Sequence, residues 1–194
     1  MTLNDYLEDS IEMLKATMNA DLNSVMSEAL EVSCKALRRN KIIAVAGNGG
    51  SHADSLHLVA ELVNWFTIEH QALPFIAIGA NGASSSAWAN DHSFESQFTR
   101  ELSAFGGLLG VYIVLTTSGK SKNIIDSLQW AKSHGVPTVG FIGRPAKTRL
   151  QDLLDFPITV PGDVTPRIQE VHLNLYHYYC KEIERRLTSD RVIP

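Results

Sequence analysis

The chain has 194 residues, of which 44% are hydrophobic and 20% charged, and its formal net charge is −4. This length and composition predict one globular domain over residues 1–194, with enough apolar side chains for its own core. The slight acidity and the scattered basic residues argue against nucleic acid as a partner. The longest apolar stretch, residues 108–115, is too short to span a bilayer, which argues against a membrane protein.

Apolar residues recur at helical spacing in residues 3–19 and 21–39, so two amphipathic helices are expected before the first strand. Their apolar faces need a partner, which is either the sheet or another subunit. Strands are predicted at residues 42–46, 75–78, 110–115, 136–142 and 156–160. Helices are predicted at residues 51–66, 87–90, 93–105, 122–134, 147–154 and 165–187. Alternating strands and helices indicate a parallel sheet covered on both faces, which is a three-layer α/β sandwich.

The cysteines and the first ten residues bear on the compartment. Cys34 and Cys180 are the only cysteines, and both fall in helical patterns, which favours buried free thiols over a disulfide. Residues 1–10 are acidic, whereas a signal peptide would be basic and then apolar. We therefore expect a protein of the reducing cytoplasm.

A glycine turn at residues 47–50, Gly-Asn-Gly-Gly, links the first strand to its helix. Such a turn lets the backbone approach a ligand closely, and Ser51 is expected to cap the helix that follows. Because a helix N-terminus attracts anions, the turn is a candidate anion site. A dinucleotide site would need a third glycine where Ala53 and Asp54 stand, so this alternative is weaker. A tight turn without a ligand is the other alternative.

A second polar loop, residues 116–121 with the sequence Thr-Thr-Ser-Gly-Lys-Ser, follows the third strand. A P-loop would need a glycine at the position of Val114, so a complete P-loop is not predicted. The remaining hydroxyls and lysine lead into a helix N-terminus, which suits a phosphomonoester without a metal. Both polar loops lie at the carboxyl ends of strands, where ligands collect in open α/β sheets. Together they favour one small phosphorylated ligand over two idle turns.

The segment between the second and third strands is less regular. Residues 79–86 are rich in glycine and serine and are predicted to form a flexible loop. Asn90 and Asp91 follow this loop, and their residue types favour a turn-and-cap role for both.

His57 and Glu61 lie at positions i and i+4 of one predicted helix and so share a face. The pair could hold a metal ion, although such pairs are more often surface contacts. The last predicted helix carries Gln169, His172 and His177. Gln169 and His177 are eight residues apart, so they reach one ion only through long side chains or across two subunits. His172 points elsewhere and is expected at the helix surface or in packing, and spacing alone does not predict a metal site.

In their order along the chain, these motifs resemble the sugar isomerase (SIS) domain family and, within it, the phosphoheptose isomerases. The resemblance covers nearly the whole chain: the N-terminal helices, then GNGGSHADSLHLVAEL, AND, TTSGKS and RIQEVH with His177 beyond it. It implies a flavodoxin-like or Rossmann-like SIS fold and a homotetramer with active sites between subunits. The chain departs from the family at Trp65, where an arginine is usual, and at Pro166, where an aspartate is common.

The resemblance also implies roles for particular residues. The implied zinc ligands are His57, Glu61, Gln169 and His177. The implied sugar-phosphate contacts are Asn48, Gly49, Gly50, Ser51, Glu61, Asn90, Asp91, Thr116, Thr117, Ser118, Ser121 and Gln169.

The implied activity is isomerisation of sedoheptulose 7-phosphate to D-glycero-D-manno-heptose 7-phosphate through an enediol, in heptose biosynthesis for lipopolysaccharide or capsule. In this hypothesis Glu61 is the base, His177 is the acid and zinc polarises the substrate carbonyl. Two alternatives remain: an isomerase of a different sugar phosphate, and a non-enzymatic SIS module that binds a protein partner.

Overall fold

The computed structural model describes residues 1–189 and contains a parallel sheet of five strands. The strands are β1 (Ile42–Gly47), β2 (Phe75–Ala77), β3 (Leu109–Thr116), β4 (Thr138–Gly143) and β5 (Phe156–Val160). Their order in the sheet is β2-β1-β3-β4-β5. The chain therefore builds outward in one direction from β1 and in the other direction from β3. In sheets of this kind, ligands bind where the direction reverses, which here is between β1 and β3.

The helices cover both faces of this sheet. They are α1 (Leu3–Asn19), α2 (Asn23–Leu37), α3 (Gly50–Val63), α4 (Gly82–Asp91), α5 (Gln97–Ser103), α6 (Lys122–Ser133), α7 (Arg144–Leu150) and α8 (Thr165–Ser189). A 3-10 turn at Gly106–Leu108 precedes β3. Among residues 1–189, no helix is both long and apolar enough to cross a bilayer.

Two buried clusters separate the three layers. Ile43 and Val45 point into a cluster with α2, α3 and α8, whereas Ala44 and Ala46 point into a cluster with α5, α6 and α7. This alternation follows from the two-residue period of a strand. Cys34 and Cys180 are buried in the first cluster and are not joined by a disulfide, as predicted. The predicted three-layer sandwich with five parallel strands is therefore confirmed.

Ser51 is not the N-cap of α3, contrary to prediction. The helix begins at Gly50, and Gly49 takes the cap position with a φ of 57°. Glycine suits this position because a left-handed backbone is costly for other residues. Ser51 is instead buried in the first helical turn.

The segment 79–86 is not a loop throughout. Helix α4 begins inside it, because the Asn81 side chain accepts a hydrogen bond from the Ser84 N–H at 3.2 Å and caps the helix. Asn90 and Asp91 are the last two residues of α4, so the turn-and-cap interpretation is wrong for both.

Two other helices begin away from their predicted starts. Helix α5 begins at Gln97 rather than at residue 93, because the Ser93 side chain accepts from the Ser96 N–H in a turn before the helix. Helix α7 begins at Arg144 rather than at residue 147. Pro145 lies in its first turn, where the missing N–H would have no intrahelical partner.

A buried carboxylate ties the end of α8 to the segment that follows α3. Glu184 is fully buried and accepts hydrogen bonds from the Thr67 N–H at 2.9 Å, the Thr67 hydroxyl at 2.8 Å and the Ile68 N–H at 3.1 Å. The Phe66 N–H also donates to it, and His70 Nε2 lies 3.3 Å away. Because a buried charge persists only with such partners, Glu184 holds residues 66–70 against α8.

We expect Glu184→Ala to lower the free energy of unfolding by about 3 kcal/mol, because it leaves several buried N–H groups without an acceptor. Urea denaturation followed by circular dichroism measures this change. Glu31→Ala is the matched control, since the exposed Glu31 carboxylate lies 3.9 Å from Arg186 and should contribute less than about 0.5 kcal/mol. A loss below about 1 kcal/mol for Glu184→Ala would contradict the role given to this carboxylate.

Candidate active site

Two polar loops meet at the carboxyl edge of the sheet where its direction reverses. β1 and β3 are paired there, with Gly47 opposite Leu115. The loop after β1 leads into α3, and the loop after β3 leads into α6. A cavity of about 230 Å³ lies between the two loops and the start of α8. Its lining residues are Asn48, Gly50, Ser51, Leu115, Thr116, Thr117, Ser118, Ser121, Thr165 and Gln169.

The electrostatics of this cavity favour an anion. Gly50 and Ser51 are the first residues of α3, Ser121 directly precedes α6 and Thr165 is the first residue of α8, so the N-termini of three helices open onto the cavity. Helix N-termini carry partial positive charge and unpaired N–H groups. The hydroxyls of the β3 loop add further donors, and the lining includes no carboxylate. This combination suits a phosphate group.

Because Gly50 has no side chain, Gln169 of α8 can lie close to the first turn of α3 at this cavity. A Cβ atom at this position would lie 2.6 Å from Gln169 Nε2, which is too close for any other residue without displacement. Gln169 Nε2 also lies 3.4 Å from Ser51 Oγ. The amide of α8 is therefore packed directly against the first turn of α3.

A pair of amides clasps the two loops together. Asn48 Nδ2 donates to Asn123 Oδ1 at 2.9 Å, and Asn123 Nδ2 donates back to Asn48 Oδ1 at 2.9 Å. Asn123 is buried and its Oδ1 also accepts from the Ile124 N–H at 3.0 Å. Asn48 was predicted as a ligand contact, and its side chain also has this positioning role. Sequence reasoning missed Asn123, because the two residues are 75 positions apart.

A second group of polar side chains lies on the facing sides of α3 and α8. His57 Nε2 is 2.7 Å from Glu61 Oε1, and the His57 and His177 ring centroids are 5.1 Å apart. His57, Glu61 and His177 each offer one ligand atom, and these atoms lie within 4.8 Å of one another. His177 Nε2 is buried and has no hydrogen-bond partner among residues 1–189.

This cluster can hold a metal ion. Two imidazoles and a carboxylate are a donor set that zinc accepts in catalytic sites, where one position stays open. The unpartnered His177 nitrogen fits a ligand role, because a buried polar atom otherwise lacks compensation. Burial and the neighbouring His57 lower the pKa of His177, although Glu61 opposes this, and the neutral imidazole is the form that binds a metal.

The SIS domain model matches residues 5–143 of the chain. This chain belongs to the SIS domain family. Phosphoheptose isomerase from Geotalea daltonii is 38% identical over 182 residues, which are 94% of each protein.

The fold also matches solved structures of phosphoheptose isomerases. The one from Francisella tularensis has a TM-score of 0.86 at 28% identity, covering 95% of this chain and all of that chain. The one from Neisseria gonorrhoeae has a TM-score of 0.85 at 27% identity, covering 94% and 97%. The resemblance seen in the sequence is therefore confirmed.

The SIS domain does not bring every predicted contact to one place. Asn90 and Asp91 are exposed at the end of α4, hydrogen bond to each other at 2.9 Å and do not line the cavity of their own chain. Gln169 lines the cavity, and its role as a fourth zinc ligand remains a prediction. His172 is fully buried against Phe141 and burial lowers its pKa to about 4, so the packing interpretation is confirmed and the surface interpretation is wrong.

Three contacts of the cluster in this SIS domain were not found from the sequence. The Phe66 ring lies 5.0 Å from the His177 ring, and the backbone of Phe66 is held by Glu184. The Tyr176 hydroxyl lies 2.9 Å from His57 Nδ1. The carboxyl group of Asp54 interacts with both of these side chains. Burial and the nearby Asp54 raise the pKa of Tyr176, so this phenol keeps its proton at neutral pH. Only helix packing brings these residues together.

His177→Ala should lower the affinity for zinc at least about 100-fold, because it removes one of three converging ligand atoms. Zinc content after dialysis against a competing chelator measures this effect. His134→Ala is the control, since the exposed His134 ring stacks on Trp130 at 4.1 Å and lies outside the cluster. Stoichiometric zinc in the His177→Ala protein would show that the ligand set is wrong.

Proposed function

We propose that this chain is a phosphoheptose isomerase that converts sedoheptulose 7-phosphate to D-glycero-D-manno-heptose 7-phosphate. The observation that carries this proposal is the pairing of an anion cavity with a His57–Glu61–His177 cluster along α8. The name shared by the curated relatives over 94% of this chain supports it. We place the activity in heptose biosynthesis for lipopolysaccharide or capsule. Two buried cysteines that form no disulfide support a location in the reducing cytoplasm.

The phosphate group of the substrate is assigned to the cavity between the two loops. Thr116, Thr117, Ser118 and Ser121 surround it from the β3 side, and Gly50 and Ser51 from the α3 side. Binding energy from this remote group orients the other end of the sugar. Because α8 lines the cavity with Gln169 and carries His177 two turns later, a bound phosphate directs the sugar along this helix.

Isomerisation moves a proton from C1 to C2 of the ketose, and Glu61 is our candidate base. Its carboxylate takes a proton from C1 to form the enediol and returns the proton to C2. His177 donates a proton to the O2 oxygen as the C2 carbonyl becomes a hydroxyl, and it takes the proton of the O1 hydroxyl as C1 becomes the aldehyde, so it returns to its starting state. Zinc, held by His57, Glu61, His177 and the predicted ligand Gln169, would supply polarisation of the carbonyl and stabilise negative charge on oxygen.

Proton exchange tests the proposed chemistry directly. With sedoheptulose 7-phosphate in D2O and added zinc, NMR should detect an aldose product and deuterium at the carbon next to the carbonyl. Glu61→Gln should slow this reaction at least about 1,000-fold, because an amide cannot accept the proton. Glu69→Gln is the matched control, since this carboxylate is exposed and outside the cluster. Retained exchange in the Glu61→Gln protein would exclude Glu61 as the base.

A specific departure supports testing other substrates in the same assay. Trp65 is 52% exposed directly after α3, where the family usually has an arginine. An indole can form neither the ion pair that an arginine forms with a phosphate nor its several hydrogen bonds to sugar hydroxyls. If the folded, zinc-bearing protein gives neither product nor exchange, the substrate is a different sugar phosphate. If it also binds no zinc and no sugar phosphate, it is a non-enzymatic module.

The assembly that we propose is a homotetramer with active sites between subunits. Thr17 is the only residue of α1 that is buried, whereas Leu3, Leu7, Ile11 and Met18 are all exposed. Leu3, Leu7 and Ile11 are four residues apart, so they form one stripe that requires an apolar partner. Leu56 and Val63 are likewise exposed on α3, which carries His57 and Glu61. A second subunit on these surfaces would also cover the candidate active site.

Replacing Leu7 and Ile11 together by glutamate should convert the tetramer to a smaller species, because buried charges would oppose the contact. Size-exclusion chromatography with light scattering measures the mass. Lys15→Glu is the control, since it changes the charge of α1 at an exposed polar position. If the double variant has the same mass as the unmodified protein, α1 does not form the interface.

A further inference from the structure

Two side chains outside the proposed ligand set converge on His57. Tyr176 reaches it from α8, with its hydroxyl 2.9 Å from His57 Nδ1. The Tyr176 ring also packs edge-on against two imidazoles, with centroid distances of 5.5 Å to His57 and 5.1 Å to His177. Tyr176 is fully buried, and its ring packs beside both histidines.

Asp54 completes this arrangement from the preceding turn of α3. Burial raises the pKa of its carboxyl group, and the nearby His57 and the Tyr176 hydroxyl oppose this shift. Its Oδ2 atom is buried and has no hydrogen-bond partner within residues 1–189. A buried carboxylate requires donors, and the Tyr176 hydroxyl is the donor placed to serve it.

The chemistry of imidazole decides how these groups share their protons. The Nε2 atom of His57 faces the cluster, where it lies 2.7 Å from Glu61 Oε1. A neutral imidazole that binds a metal through Nε2 carries its proton on Nδ1. The Tyr176 oxygen can then accept from Nδ1–H while its own hydrogen is donated to Asp54. Each of the three groups gains a complementary partner in this order.

With a metal bound at Nε2 of His57, the opposite order of protons is unfavourable. If Tyr176 donated to Nδ1, its oxygen would present lone pairs to the Asp54 carboxylate with no proton between them. The neutral His57 would then carry its proton on Nε2 and could not bind a metal through that atom. The negative charge of Asp54 therefore selects the useful tautomer through Tyr176.

We propose that Asp54 and Tyr176 are positioning residues that hold His57 in the orientation and tautomer that bind a metal through Nε2. This inference rests on the proposed function only for the presence of a metal in the cluster. It assigns a role to two residues that make no contact with substrate.

Tyr176→Phe tests this relay of hydrogen bonds from Asp54 through Tyr176 to His57, because it removes only the hydroxyl and keeps the ring beside both histidines. Competition with a chromophoric chelator, with Zn²⁺ alone and no sugar phosphate, should give an affinity 10- to 100-fold lower, which is about the usual effect of losing such a partner. Tyr179→Phe is the matched control. It removes a buried hydroxyl from the same helix, where Tyr179 donates to Ser33 Oγ at 2.6 Å, and its zinc affinity should change less than about threefold.

A double-mutant cycle separates the relay from a general loss of packing. Asp54→Asn alone should also weaken zinc binding about 10-fold or more, but it should add little in the Tyr176→Phe background, because Asp54 acts through the phenol. Thermal unfolding in a chelator should give similar midpoints for Tyr176→Phe and Tyr179→Phe. Independent effects of the two substitutions on zinc affinity would overturn the proposal.

The zinc measurement is also independent of the isomerase assay. If the unmodified protein is inactive on sedoheptulose 7-phosphate but the Tyr176→Phe variant loses zinc affinity as described, the relay is supported and the proposed substrate is rejected. An active protein in which Tyr176→Phe binds zinc as tightly as the unmodified chain would reject the relay and keep the function. A chain that binds no zinc at all would overturn the relay as well.

Discussion

The packing of α8 along α3 is the contact on which the rest of the site depends. Near its start, α8 presses Gln169 against Gly50 at the anion cavity, and farther along it places Tyr176 and His177 beside His57. A helix rises 1.5 Å per residue and bends little, so one rigid element sets the separation of the two subsites. The glycine at position 50 makes this contact possible, because a Cβ atom there would displace the Gln169 amide.

The two parts of the site use different kinds of polar group. The anion cavity relies on helix N-termini and hydroxyls, which have no net charge that must be neutralised when the cavity is empty. The cluster on α3 and α8 instead concentrates ionisable groups in a partly buried place. Helix dipoles suit an anionic group such as a phosphate, whereas imidazole and carboxylate suit the transfer of protons.

Support for the cluster extends well beyond its ligand atoms. Glu184 holds the backbone of Phe66, and the Phe66 ring packs against His177. On the other side, the Tyr176 ring packs against both histidines, and its hydroxyl is hydrogen bonded to His57. A polar cluster in a protein remains in one geometry only when its supporting side chains are themselves fixed, and both supports here are buried polar contacts.

The sequence by itself determined the layered α/β fold, the bounds of β5 and α1, and the placement of polar loops at the ends of β1 and β3. These features depend on local periodicity and on rules for parallel sheets, which need no knowledge of distant contacts. It also placed His57 and Glu61 on one helical face, because a spacing of four residues is a local property.

Only the tertiary structure decided which other residues join them. The Asn48–Asn123 clasp and the Tyr176–His57 contact link residues 75 and 119 positions apart. Spacing on α8 set His172 apart from His177 but left it either at the helix surface or in packing. The tertiary structure buries His172 against Phe141 and turns His177 toward His57. The prediction of Ser51 as the N-cap of α3 was wrong for a similar reason. The close approach of α8 and the left-handed backbone of Gly49 set the start of α3, and neither is visible in a local pattern of residue types.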